Sequence, residues 1–368
     1  MSARRPCDRF RDRRSAQSRQ AHGPSDACAP ARATRMPALR TLQRYAPCRQ
    51  RGVALIVALL VVALAVVLIA GLLDRGELAA ARVRNELREA QAQAYAQGLE
   101  AYAARVLAQA AASRNEVDSN DSPWAVPLPP TKVPGGSLVA SMRDRNGCFN
   151  LNNLLDASGT PSDIWVPKFR RLLHVLNLDE TLADGIVNWM RTGTSPDDNY
   201  YLQQEVPYRP AHRGFAHASE LRLVKGVTPE AYARLARDVC ALPRGTAINI
   251  NTASAAVLMT LSINVDEQIA KGLAQDGRAQ YGSIDEILAR LPGKVIECGS
   301  ASGASTTAPS SPIPVTQCYD VKSSYFLARG DVLLDGLPFT FFSLIERRLS
   351  GGSSAGIRVI ERSRGTDF

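Results

Sequence analysis

The stretch "RQRGVALIVALLVVALAVVLIAGLLDR", residues 49–75, decides how the rest of the chain is read. Twenty-one uncharged residues, Val53 to Leu73, lie between clustered arginines and the pair Asp74 and Arg75. As a helix rising about 1.5 Å per residue they span about 31 Å, the thickness of a bilayer's hydrocarbon core. An ordinary secretory signal has an apolar core of about 7 to 15 residues followed by a small-residue cleavage site. This stretch is longer and runs into "GLLDRGELAAARVRNEL", so it reads as an anchor that stays on the protein.

The net charge of +9 would ordinarily direct attention to nucleic acid or an anionic surface. Its location removes that reading. Residues 1–52 hold thirteen arginines, no lysine and only Asp8, Asp12 and Asp26, a balance of +10, so everything after Gly52 sums to −1. Arginine before an apolar helix speaks of topology, because positive flanks are retained in the cytoplasm. Cysteines divide the same way: Cys7, Cys28 and Cys48 precede the anchor, and Cys148, Cys240, Cys298 and Cys318 follow it. Four cysteines in an exported domain allow two disulfides in three connectivities. Cys298 and Cys318 bracket a Ser, Thr, Gly and Pro-rich stretch, and stapling it would leave Cys148 for Cys240; four buried thiols are the alternative.

From Asp74 to about Ser113 the sequence stays rich in Ala, Glu, Gln, Arg and Leu without a proline, so the anchor and a soluble helix read as continuous. Leu99, Tyr102, Val106 and Ala110, with Ala103 and Leu107 beside them, form an apolar stripe suited to lie on a sheet. Residues 114–136 read as a proline-rich linker. "SLVASMRDRNGCFNLNNLLD" then reads as a strand, a turn at Arg145 to Gly147 and a short second strand. From about Pro161 to Pro292 the periodicity is helical, with caps at Asn251 or Thr252 and at Ser283 with Glu286 three residues on. Tyr325 to Leu333 and Pro338 to Arg347 flank Asp335 and Gly336 as a hairpin, and "GIRVIERS" adds a strand. The expected fold is α+β, a long N-terminal helix packed on a small antiparallel sheet that is interrupted by a large all-α insertion.

A long helix with a bare apolar front and an amphipathic back resembles a type IV pilin or pseudopilin subunit. "RQRG" followed by "VALIVALLVV" is similar to a prepilin leader junction, which implies cleavage after Gly52 and a mature, methylated amino terminus at Val53. Most pilin-like subunits carry glutamate at the fifth mature position; here that position is Val57. A lone carboxylate among apolar helices needs a positive partner, which the resemblance supplies as the adjacent subunit's amine. Val57 cannot make that pairing, which implies a position with no subunit above it, the tip.

One family is matched more closely. "DRNGCFNLNNLL" at 144–155, "NYYLQQEVPYRPAHRGFAHASELRLVKGVTPEAYARLARDVCALP" at 199–243, "ININTASAAVL" at 248–258 and "SSYFLARGDV" resemble the K-type minor pseudopilins of type II secretion systems. The resemblance covers nearly everything from residue 49 on. It implies a prepilin leader at 1–52, with Met36, seventeen residues upstream of the cut counting through Gly52, as the expected start. Residues 53–73 and 74–113 would be the transmembrane and periplasmic parts of the helix. Residues 137–155 and 315–364 would form the sheet domain, 156–295 the insertion and 299–314 a low-complexity loop. Implied partners are I- and J-type minor pseudopilins, the inner-membrane secretion platform and a prepilin peptidase. The implied place is the inner membrane, single-pass, with a cytoplasmic N-terminus and the bulk in the periplasm.

The same resemblance implies calcium in the insertion, near the loop running into "YYL". Asp197, Asp198, Asn199 and Glu205 offer the oxygens, and calcium takes about six to eight. The family's further acidic positions are here Asn188, Arg191 and Gly193, so a solvated Asp-Asp-Asn turn is an equal reading. "INTASAAVLMTLSINVDEQIAKGLAQ" is also similar to the helix-hairpin-helix modules of DNA-uptake proteins. Those need hairpin glycines so that backbone amides reach a phosphate; "LSINVDEQ" has none, and a structural helical pair is preferred. His22, His174, His212 and His217 show no metal spacing, and no catalytic motif occurs in the right context, so an enzyme is not expected.

Overall fold

The computed structural model describes residues 52–112, 117–298, 314–348 and 356–366. The leader up to Arg51, including Met36, and most of the low-complexity loop, residues 299–313, lie outside the described residues.

One helix, α1 (Val53–Ala111), carries both the anchor and the soluble stretch. Compactness divides the chain after Gly71. In the first unit every described residue is exposed and the helix is apolar enough to cross a membrane. In the second, α1 covers a five-stranded antiparallel sheet in the order β1 (Leu128–Val133), β2 (Gly136–Asp144), β7 (Tyr325–Leu334), β8 (Leu337–Arg348) and β9 (Gly356–Arg364). β7 and β8 close through Asp335 (φ 47°) and Gly336 (φ 80°), the paired positive φ of a two-residue hairpin.

One expectation is corrected here. The 114–136 linker contains β1, whose Pro129 and Pro130 fall where the register with β2 shifts. Proline is tolerated there because β1 is an edge strand. The expected stripe on α1 packs on the sheet except at one position: Ala103 and Leu107 are buried and Leu99, Val106 and Ala110 pack beside the core, while Tyr102 is half exposed and the buried line continues through Ala92 and Ala96. The helix approaches closely at Gly330, where an added Cβ would stand 2.7 Å from Leu99 Cδ1.

Between β2 and β7 the chain leaves the sheet to build the insertion. It holds α2 (Trp165–Val175), α3 (Leu182–Met190), α4 (Asp198–Leu202), α5 (Pro229–Leu235), α6 (Ala255–Leu258), α7 (Glu267–Ala274) and α8 (Ile284–Leu288). It is not purely helical, because β3 (Phe149–Asn150) pairs in parallel with β4 (Val239–Cys240), and β5 (Ile248–Asn249) with β6 (Tyr319–Asp320). One apolar core runs through it from Phe149, Leu151 and Leu154 to Tyr319 and Val321. Phe149, Leu151, Leu154, Leu155, Cys318, Tyr319 and Val321 therefore go with the insertion and not with the sheet, since their side chains lie in its core. Ser254, not Asn251 or Thr252, caps α6 by accepting from Val257 N.

The seam between sheet and insertion is polar and buried. Asp118 accepts from Trp124 Nε1 (3.0 Å), from Ser323 N (2.8 Å) and from the Arg347 guanidinium, and both members of that ion pair are fully buried. Close by, burial pushes the Asp144 carboxyl up to about 6, although it accepts from Asn146 N, Gly147 N and Thr252 Oγ1.

Candidate functional site

The two sides of α1 have different fates. The sheet side is consumed internally: Glu100 receives a bidentate pair from Arg362 (2.8 and 2.9 Å) and a hydrogen bond from Ser343 Oγ (2.5 Å). Burial alone would raise Glu100, but the bonds from Arg362 and Ser343 outweigh it and hold the carboxyl below its ordinary range. Arg88 binds Asp335, and Glu89 pairs with Arg364. At about 100° per residue, the opposite side carries Leu73, Gly76, Ala80, Val83, Leu87 and Ala90 at alternating spacings of three and four, all exposed. Leu87 is 65% exposed and Val83 53%, with nothing among the described residues covering them. A 3-4 repeat of small and aliphatic residues is the seam of a helix that packs on another helix. Sequence reading missed this stripe because alanine dominates every side of α1; the alternating spacing was its signal.

At the front, Gly52 forms the turn before the helix and accepts from Ile56 N (3.4 Å). Val53 and Val57 are both more than half exposed, and Val53 to Leu73 offers no carboxylate to a neighbouring amine.

The expected calcium ligands do not assemble. Asp197 has both oxygens taken, by Lys225 Nζ (2.6 Å) and Asn188 Nδ2 (2.8 Å). Burial would raise its carboxyl, yet the Lys225 and Asn188 bonds leave it lowered. Asp198 accepts from Ser195 N (3.0 Å) and has His212 Nε2 3.5 Å from its other oxygen. Asn199 and Glu205 are exposed, and among the described residues no group of three or more His, Cys, Asp or Glu stands close enough to hold a metal. Calcium wants six to eight oxygens; here nitrogens take both oxygens of Asp197 and one of Asp198, and Asn199 and Glu205 do not join them, so the set as placed does not fit the ion.

The asparagine-rich motifs turn out to be fasteners. Asn152 donates to Phe215 O and Leu242 O and accepts from Phe215 N, joining segments about 63 and 90 residues away. Asn153 donates to Thr246 O and accepts from Gly245 N. Asn249 donates to Asp118 O and Ser323 Oγ, and Asn251 pairs in both directions with the Tyr281 backbone. Such bonds satisfy backbone groups that irregular structure leaves unpaired. Disulfides join Cys148 to Cys240 and Cys298 to Cys318, each with Cα atoms 5.9 Å apart.

The α6–α7 turn lends the DNA-binding alternative no support. Ile263 N, an amide that would have to face a phosphate, donates to Glu297 Oε1 (2.9 Å), and Ser262 Oγ donates to the same oxygen (3.1 Å). These two donors of the turn are taken by a carboxylate of the same chain.

Residues 147–244 match the family described as Type II secretion system (T2SS), protein K. Type II secretion system protein K of Pseudomonas aeruginosa is 33% identical over 333 residues, covering 86% of this chain and 93% of the relative. The protein K of Aeromonas hydrophila is 32% identical over 304 residues, covering 76% and 88%. Among solved structures, the GspK-GspI-GspJ complex from the enterotoxigenic Escherichia coli type 2 secretion system has a chain superimposing with a TM-score of 0.60. That chain is 24% identical and wholly covered, against 78% of this one, and the likeness is one of fold.

Proposed function

The chain belongs to the type II secretion system protein K family, and from that membership we propose that it is the tip subunit that starts and caps the pseudopilus. It is a minor pseudopilin, part of the machinery that exports folded proteins across the outer membrane. Its work is assembly rather than turnover. Partner helices of I- and J-type minor pseudopilins pack along α1, and the inner-membrane platform receives the resulting complex. A prepilin peptidase cuts between Gly52 and Val53, Val53 is methylated, and the helix keeps the body of the chain on the periplasmic side.

The observation that carries this reading is the divided use of α1. The sheet takes one side through Ala92, Ala96, Ala103 and Leu107, while the other stays apolar and exposed past the end of the anchor. Exposed aliphatic side chains at helix-packing spacing are kept for a partner. Val57 supports the tip position, because a subunit without that carboxylate has no ionic claim on a subunit above it.

The test is co-purification of the full-length chain with I- and J-type minor pseudopilins from detergent. Leu87→Arg and Val83→Arg place a charge in the stripe and are expected to abolish recovery of the partners, while Glu180→Arg on the insertion leaves it unchanged. Undiminished recovery with both stripe variants would contradict the reading.

A further inference from the structure

The loop of residues 193–208 carries two adjacent carboxylates, and nitrogen donors take both oxygens of Asp197 and one of Asp198. Around Asp197 stand the ammonium of Lys225 and the amide of Asn188; around Asp198 stand the amide of Ser195 and the imidazole of His212. We propose that Lys225 is the built-in counter-cation of this loop, so that the loop is ordered without a divalent metal ion. The inference concerns the insertion alone and stands whether or not α1 binds the partners assigned to it.

Three observations converge on Lys225. Its ammonium lies 2.6 Å from Asp197 Oδ1, a contact whose acidic partner is only 11% exposed. The same ammonium sits 5.3 Å from the centre of the Tyr200 ring, in the next turn of chain. Its backbone N–H donates to Tyr201 Oη (3.1 Å), so the residue meets α4 from both ends. A positive charge that binds the carboxylate and the adjacent aromatic face does for α4 what a bound cation does for an acidic loop: it neutralises and it orients. Positions that would have enlarged an oxygen cage are filled otherwise. Asn188 presents its amide nitrogen rather than oxygen, and the Arg191 carbonyl is engaged by His212 Nδ1 at 2.8 Å.

Limited chymotrypsin digestion of the full detergent-solubilised chain tests this, because Tyr200, Tyr201 and Leu202 are cleavage sites within the loop. The native chain and Lys225→Arg are expected to be cut there at the same rate in millimolar calcium chloride and in chelator. Lys225→Gln is expected to be cut about tenfold faster in both, as local opening becomes more frequent. Slower cutting of the native chain in calcium than in chelator would overturn the proposal, as would a Lys225→Gln chain as resistant as the native one. If Lys225→Gln does not fold, the calcium-against-chelator comparison on the native chain decides by itself.

Discussion

The sheet and the insertion share one chain and satisfy their buried backbone by opposite means. From Gly136 to Asp144, β2 runs against β7 without a register shift, and β7 against β8 likewise, so hydrogen bonds follow from strand pairing and hardly depend on which side chains are present. In the insertion the longest helix has 11 residues and the strands have two. Its carbonyls and amides are met by Asn150, Asn152, Asn153, Asn249 and Asn251, one side chain joining segments remote in sequence. A regular element distributes its stability over many equivalent bonds, whereas an irregular one concentrates it in a few residues. Substitutions should therefore act locally in the sheet and collectively in the insertion.

Removing the Cys148–Cys240 bridge by a double Cys→Ser change should break the insertion most. With a separation of 92 residues the loss is about 4–5 kcal/mol, against about 3 kcal/mol for Cys298–Cys318 with a separation of 20. Denaturant titration should show Trp165 and Trp189, in the insertion, losing their native fluorescence before Trp124, which packs between α1 and the sheet. Simultaneous loss would show that the two regions do not differ. Arg347→Met at the seam leaves Asp118 as an uncompensated buried charge and should cost about 3–5 kcal/mol, lowering both transitions together.

Asn152→Ala strands the Phe215 amide and the carbonyls of Phe215 and Leu242, an expected loss of about 2–3 kcal/mol seen as a lower denaturant midpoint for the insertion alone. Gly330→Val is the counterpart on the sheet. Its branched side chain meets Leu99 on α1, and repacking should cost about 1–3 kcal/mol with the insertion's transition unmoved. Arg362→Met should cost only about 1 kcal/mol, since Arg362 is largely exposed. Because Glu100 is held below its ordinary range in the folded state, the native advantage is full above the unfolded carboxyl's range. It fades as pH falls through the lowered value, so a pH titration of unfolding should show the two chains converging in acid.

What could be read in the sequence follows the same division. The β7–β8 hairpin was legible because Asp335 and Gly336 sit between alternating runs, and β2 because Ser137 to Asp144 is bounded by turn residues. β1 was not, since Pro129 and Pro130 argue against a strand until its edge position is known. The insertion was visible as a helical block but its limits were not. Phe149 and Tyr319 look like strand residues and are, yet their strands are two residues long and pair only across the insertion. The asparagines of "NLNN" and "ININT" were recognisable as a motif without revealing their bonds, which depend on chain segments far away. The acidic loop misled in the other direction: Asp197, Asp198, Asn199 and Glu205 suit calcium by composition, and only the fold brings Lys225, twenty-eight residues later, into contact with Asp197.

The claim on which assembly depends is that the apolar helix is kept and begins the mature protein. Amino-terminal sequencing of the chain purified from membranes tests it directly. Cleavage after Gly52, with Val53 as the first residue, is the expected result. An intact leader, or a first residue beyond Leu73 with the anchor gone, would contradict it.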